Sequence, residues 1–331
     1  MHKRYSRILP FNLHKPVSYD YDERLPKPLA VMGWTNMYCK SVERGMLSSA
    51  DKQTKELNEF KQLGGFILNR YTLNSVNGNF VLYSVMPESL KDEEKKNVVF
   101  SVHGGGFYYP LGKDAIINGS YIARQLNAIV FFPDYHVSSK CPFPGPLEDC
   151  MFAYRYLLDH KEELKIDVDS ILIQGESAGA CLAASLTMWI RDEKLTEPKG
   201  QILIVPVTDN DNEYPSNREY EYAVWPQNCN EHMWDVYLKD GIDNKGMGKY
   251  AIPMKAKDLS NLPQAYIEVG GSDLLRDQGL AYANRLKEAG NPVKTKVISG
   301  GYHGYANDLN NEFVKQIVLN HCKEMRRMLS R

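Results

Sequence analysis

Long hydrophobic runs are missing from this 331-residue chain. No stretch approaches the roughly 18 apolar residues that a membrane span needs. The basic start, MHKRYSRILPFNLHKP, lacks the apolar core of a secretory signal. Charge of one sign is missing too. Forty basic residues face forty-one acidic ones, a net charge of −1, without the basic excess that marks nucleic-acid binders. Cysteine is sparse: Cys39, Cys141, Cys150, Cys181, Cys229 and Cys322 form no C-x-x-C pair. Their spacing suits neither a zinc site nor a small disulfide framework, so they read as free thiols in a reducing, cytoplasmic compartment. Internal repeats and low-complexity tracts are also lacking, which excludes solenoid and linker-rich architectures.

At roughly 150 residues per domain, the length allows about two domains or one large one. A chain this long buries on the order of three quarters of its unfolded surface and needs no staple of metal or disulfide. The first 45 or so residues are proline-dotted and aromatic, with weak periodicity. A helix follows, capped by Ser48 or Ser49, with Leu57, Phe60 and Leu63 on one face and Gly64-Gly65 as its stop. Residues 66–73 and 79–86 read as a hairpin turned by Asn77-Gly78. Short, β-branched apolar runs come next at 97–102, 128–135, 170–174, 201–207, 264–270 and 293–299. Such runs suit strands covered on both faces. Helical patterns at 146–160, 178–192, 276–290 and 311–328 separate or follow them, so the class is α/β with a mostly parallel sheet. Residues 208–250 break the rhythm: polar, aromatic and without a buried strand, they read as an ordered lid inserted between two strands.

The chemistry is concentrated at a few places. The run ILIQ enters Gly175-Glu176-Ser177-Ala178-Gly179, and a helical pattern follows. G-x-S-x-G between strand and helix makes a sharp turn that exposes the serine hydroxyl, with the helix N-terminus aimed at developing negative charge. The string HGGGF (103–107) lies directly after another strand, and composition predicts only about 0.003 HGGG strings by chance. Backbone N–H groups of such a loop, with that of Ala178, form an oxyanion hole. The loop lacks the lysine and spacing of a phosphate-binding loop. His103 reads as a brace for it.

A serine nucleophile needs a base and an acid, in the chain order Ser, Asp or Glu, His. Asp273 follows the strand pattern at 264–270 and His303 the one at 293–299, at the carboxyl ends where α/β sheets bind ligands. Asp277, one helical turn on, and Asp209 are the alternatives for the acid. His2, His14, His160 and His321 read as terminal or helix-surface residues. His136 and His232 remain possible pocket residues.

These motifs, with FPDY, PFPGPLEDC (142–150), SDLLRDQG (272–279) and GYHGY (301–305), resemble those of the hormone-sensitive lipase-like family of α/β-hydrolase carboxylesterases. The resemblance spans residues 97–305. It implies an α/β-hydrolase fold with a mostly parallel eight-stranded sheet and a mainly helical cap. Residues 56–207 and 251–331 would form the catalytic domain, and 1–55 and 208–250 the discontinuous cap. Ser177 resembles the nucleophile, His303 the general base and Asp273 the acid, with Gly105, Gly106 and Ala178 as oxyanion donors. The chain departs from the family at Tyr135-His136-Val137-Ser138-Ser139-Lys140, where Y-R-L-A-P-E is common, and at Glu176, where aspartate is common.

The expected activity is hydrolysis of short-chain acyl esters through an acyl-enzyme, with no cofactor or metal. Phe107, Tyr108, Glu176 and Trp225 are the candidate pocket residues. Tyr109 beside the loop and Tyr220, Tyr222, Trp234 and Tyr237 in the lid add aromatic surface that packing alone could also explain. The expected partner is a small ester; a homodimer is possible, a nucleic acid is not expected. An arylformamidase or another amide or lactone hydrolase would use the same triad. A non-catalytic binding module on this fold typically lacks a triad member.

Overall fold

A computed structural model of the chain describes residues 2–7, 17–27, 50–221 and 223–330. Ser48, Ser49, Cys39, His14 and Tyr222 lie outside the described residues, as does most of the segment 1–55 assigned to the cap. The described part of that segment holds a hairpin, β1 (His2–Arg7) paired antiparallel with β2 (Val17–Asp22), and the start of helix α1 (50–59).

The main sheet has eight strands: β3 (Phe66–Ser75), β4 (Gly78–Pro87), β5 (Lys96–Val102), β6 (Ala128–Asp134), β7 (Ile166–Glu176), β8 (Gly200–Ile204), β9 (Ala265–Gly270) and β10 (Val293–Ile298). Their spatial order is β10-β9-β8-β7-β5-β6-β4-β3. Only β4 is antiparallel to its neighbours, β3 and β6. The fold is that of the α/β hydrolases.

Both faces are covered. Helices α2 (Lys113–Leu126) and α9 (Glu312–Leu329) share one buried cluster with Leu57 of α1. Helices α3 (Gly145–Asp159), α5 (Ala178–Asp192) and α8 (Arg276–Glu288) share the other; α4 (Lys161–Leu164) is a single turn. Successive strand residues point to opposite faces: Val98, Phe100 and Val102 lie in the second cluster, Val99 in the first. Each such side chain contributes about 1.5–3 kcal/mol when removed from water, which is why the central strands are apolar throughout.

Several elements depart from the sequence pattern, among them helix α1, which ends at residue 59, short of Phe60, Leu63 and the expected stop at Gly64-Gly65. Helix α2 was not expected, because Gly119 and Ser120 interrupt its apolar stripe of Ile116, Ile122, Ala123 and Leu126. The glycine has a packing reason: a Cβ there would lie 2.1 Å from Cζ of Phe132 on β6. Strand β7 starts four residues before the apolar run, where Ile166 pairs with Lys96 across a register shift. Strand β8 stops at Ile204, since Val205 takes a φ of 41° and Pro206 has no N–H to continue the ladder. The insertion at 208–250 carries α6 (Pro215–Glu219), α7 (Gln227–Tyr237) and two short 3-10 turns.

A buried carboxylate ties α3 to the β3–β4 turn. Asp149 accepts from Ser75 Oγ at 2.5 Å, Asn77 Nδ2 at 3.1 Å, His136 N at 2.8 Å and His136 Nδ1 at 2.7 Å. His136 is thus a clamp on the turn, not a pocket residue. Truncating the carboxylate leaves both His136 donors without their acceptor and Ser75 Oγ and Asn77 Nδ2 with only Gly78 O and Gly145 O. Asp149→Ala is expected to cost about 3 kcal/mol or more of stability, read as a lower urea midpoint; a change under about 1 kcal/mol would contradict the clamp.

Candidate active site

The turn between β7 and α5 carries Ser177 in a conformation few side-chain-bearing residues adopt, φ 56° and ψ −123°. Its backbone is pinned on three sides. Ser177 N donates to Ile204 O at 2.9 Å, and Ser177 O accepts from Ala180 N at 3.0 Å and Val207 N at 3.2 Å. The turn packs so closely that a Cβ on Gly179 would lie 2.2 Å from Val102 O, and one on Gly175 2.3 Å from Gly179 O. This crowding is the reason for glycine at both flanks of the motif.

His303 and Asp273 arrive from the loops after β10 and β9. Ser177 Oγ lies 2.9 Å from His303 Nε2, and His303 Nδ1 lies 2.9 Å from Asp273 Oδ2. An ionised Asp273 only accepts, so Nδ1 carries the proton and Nε2 is left to accept from the serine hydroxyl. Asp273 Oδ1 accepts from Leu275 N at 3.0 Å, and the carboxylate is 1% exposed. The two loops are laced together through Ser272 N to Gly301 O and Gly271 N to Ile298 O, both 2.8 Å. Burial works to lower the His303 pKa, but the Asp273 carboxylate, by charge and hydrogen bond, and then Glu176 outweigh it; the net shift is upward.

The other acids stand elsewhere. Asp277 accepts from Ser216 N at 2.9 Å and pairs with Arg276 at 2.7 Å, joining α6 to the start of α8. Asp209 accepts from the Tyr214 hydroxyl at 2.7 Å.

The loop at 103–107 lies beside the serine. A Cβ on Gly104 would meet Glu176 O at 2.8 Å, and Gly105, Gly106 and Phe107 all have positive φ. Among the described residues, no acceptor takes the N–H of Gly105, Gly106 or Ala178. His103 braces the loop: its ring stacks on Tyr135 at 4.1 Å, and Nδ1 pairs with Gly104 O at 2.8 Å. Burial drives its pKa down to about 4, so it stays neutral at physiological pH.

The aromatic candidates divide. Phe107 is buried and stacks on Tyr237 of α7 at 3.9 Å, so it docks the insertion onto the loop. Tyr108 is buried beneath Gly106. Trp225 stands nearer Ser177 and His303, its ring 5.8 Å from that of His303 and close to Gly106. Glu176 is half-buried and accepts from Asn307 Nδ2 at 3.2 Å. Burial raises its pKa, against the opposing effects of His303 and Asn307.

Two groups near the site were missed from sequence. His321 is 4% exposed, not a helix-surface residue, and pairs with Glu268 at 2.7 Å. The signal was a glutamate inside the apolar run QAYIEVG. The N-terminal segment also reaches the loops of Asp273 and His303: Asp22 N donates to Gly300 O at 3.1 Å, Tyr302 Oη donates to Pro26 O at 2.8 Å, and Ser272 Oγ donates to Asp20 O. Among the described residues, no group of three His, Cys, Asp or Glu stands where it could hold a metal ion.

Residues 99–307 match the family model of the alpha/beta hydrolase fold. Esterase LipI of Mycobacterium tuberculosis is 31% identical over 225 residues, which cover 66% of this chain and 70% of the relative. An arylesterase of Saccharolobus solfataricus is 33% identical over 214 residues, 63% of this chain and 68% of the relative. Among solved structures, a bacterial heroin esterase superposes with a TM-score of 0.79 at 26% identity, covering 93% of this chain and 98% of that one. The chain belongs to this alpha/beta hydrolase family and is a carboxylic ester hydrolase of its hormone-sensitive lipase-like branch.

The His303 environment has a measurable consequence. Followed by NMR, its imidazole is expected to titrate above the ordinary histidine value of 6.5. Asp273→Asn removes the largest upward influence and leaves burial, which acts downward, so the midpoint should fall. A midpoint unmoved by Asp273→Asn would mean that the pair is not coupled.

Proposed function

We propose that this chain is a serine carboxylesterase for short-chain acyl esters, with Ser177 as nucleophile, His303 as general base and Asp273 as the acid that orients it. The observation that carries the reading is the continuous path from Ser177 Oγ to His303 Nε2 and from Nδ1 to Asp273, each contact 2.9 Å. In the acylation step Ser177 Oγ attacks the ester carbonyl while Nε2 takes its proton. Asp273 stabilises the imidazolium that forms. The carbonyl oxygen becomes an oxyanion and is received by the N–H groups of Gly105, Gly106 and Ala178, each such donor being worth about 10²–10³ in rate. His303 then protonates the departing alcohol, and water repeats the sequence on the acyl-enzyme.

We read residues 56–207 and 251–331 as the catalytic domain and 1–55 with 208–250 as its cap. Support comes from the anchoring of the insertion by Phe107–Tyr237 stacking and by Ser216–Asp277. Trp225 over Gly106 leaves limited room beside the oxyanion donors, which favours small acyl groups. The five described cysteines are free thiols, in keeping with a reducing, cytoplasmic setting. No described helix is long and apolar enough to cross a membrane.

Ser177→Ala is expected to lower kcat by about 10⁴ or more while leaving the fold intact; retention of most activity would sink the assignment. With p-nitrophenyl esters from acetate to palmitate, kcat/KM should peak at short chains, and a peak above about eight carbons would refute the pocket reading. Protonated His303 cannot act as base, and its pKa is shifted upward, so the rate should fall as pH drops through a midpoint above 6.5. A flat profile from about pH 5 to 8 would count against His303.

A further inference from the structure

Beneath the triad lies a second polar cluster closed off from water. Glu268 of β9 is 1% exposed and sits between Ile267 and Val269, which point to the opposite face. Its Oε1 accepts from the Tyr305 hydroxyl at 2.5 Å and from His321 Nε2 at 2.7 Å, and Oε2 accepts from the Tyr266 hydroxyl at 2.6 Å. Tyr266, Tyr305 and His321 are themselves buried. The partners come from three places: β9 itself, helix α9, and the loop that carries His303.

The connectivity matters for catalysis. Strand β9 runs into the loop of Asp273, five residues after Glu268, while Tyr305 follows His303 by two. One strand therefore places the acid directly and reaches the base through a phenol. An apolar side chain at position 268 would fill the same space, but it could not fix the direction of the Tyr305 hydroxyl or hold the loop in register.

We propose that Glu268 is a positioning residue for ester hydrolysis: through Tyr305 it holds the His303 loop where the imidazole meets both Ser177 and Asp273, with His321 as a second partner of its Oε1. The role rests on the reading of His303 as general base. Burial acts to raise the Glu268 pKa, but the charge and hydrogen bond of His321, with the two phenols, outweigh it and keep the carboxylate ionised. Burial, then the Glu268 charge, pushes the Tyr305 phenol well above 10, so it remains a donor. Facing His303 from the other elements are Asp273 and, from the end of β7, Glu176, which also acts on His321.

Tyr305→Phe tests the role because it removes one hydroxyl and no charge. Activity is read per active site, titrated with an organophosphate, so that any unfolded fraction drops out. The variant is expected to lose kcat on the order of tenfold with KM within about twofold. Its acid limb should shift to lower pH, since a looser loop weakens the Asp273 contact that raises the His303 pKa. A merely structural role would lower the number of active sites and leave the rate per site and the pH midpoint unchanged, which would overturn the proposal. If Tyr305→Phe does not fold, Glu268→Gln is measured in the same way and judged by the same two readouts. His303→Ala separates the two claims. If it retains near-parental activity, the base assignment itself fails. If it is inactive while Tyr305→Phe behaves as the parent, only the positioning role fails.

Discussion

The backbone turn at Ser177 is the constraint on which the rest of the site depends. A side-chain-bearing residue at φ 56° persists only if its surroundings leave it no alternative. Those surroundings are three strand ends. Strand β8 accepts the Ser177 N–H through Ile204; β7 leads into the turn; the end of β5 presses its Val102 and His103 carbonyls against Gly179. The same contact brings the glycine loop after β5 alongside the serine hydroxyl. The Ser177 hydroxyl and the N–H groups of the glycine loop are thus set by one packing event, in a place where β-strands end together.

Asp273 and His303 are held by a different device. Their loops follow the neighbouring strands β9 and β10, and their backbones hydrogen-bond to each other before any side chain is considered. The N-terminal segment crosses both loops through Asp20, Asp22 and Pro26, and Asn311 at the start of α9 holds the Arg24 carbonyl at 2.9 Å. From the other side α6 is joined to the Asp273 loop by the Ser216 hydroxyl on Leu274 O at 2.8 Å. Segments far apart in sequence converge on these two loops, so the histidine is oriented by tertiary contacts and not by local propensity.

Burying charge below the site carries a desolvation cost that hydrogen bonds must offset. Asp273 pairs with His303 and Glu268 with His321, and Glu176 acts on both histidines. The ring nitrogens and phenols that face these carboxylates supply partners, and Asp273, then Glu176, raise the His303 pKa despite burial. His103, equally enclosed but beside a carbonyl instead of a carboxylate, is driven the other way. The contrast shows that the partner, not the depth of burial, sets the direction of each shift.

The sequence by itself determined the class of fold and the candidate catalytic residues. Apolar runs of strand length reflect two-sided burial, and Gly175, Gly179 and Gly104 mark close backbone approaches that no other residue permits. Both are local properties written directly in residue type. Helix α2 was hidden because Gly119 answers to Phe132 on another element. His321 read as surface because its partner Glu268 lies 53 positions away, and His136 kept a pocket role open until Asp149 claimed it. Which polar residues pair, and which loops they hold, was decided only by tertiary structure: the energy of a buried charge depends on who stands opposite it, and chain order does not contain that information.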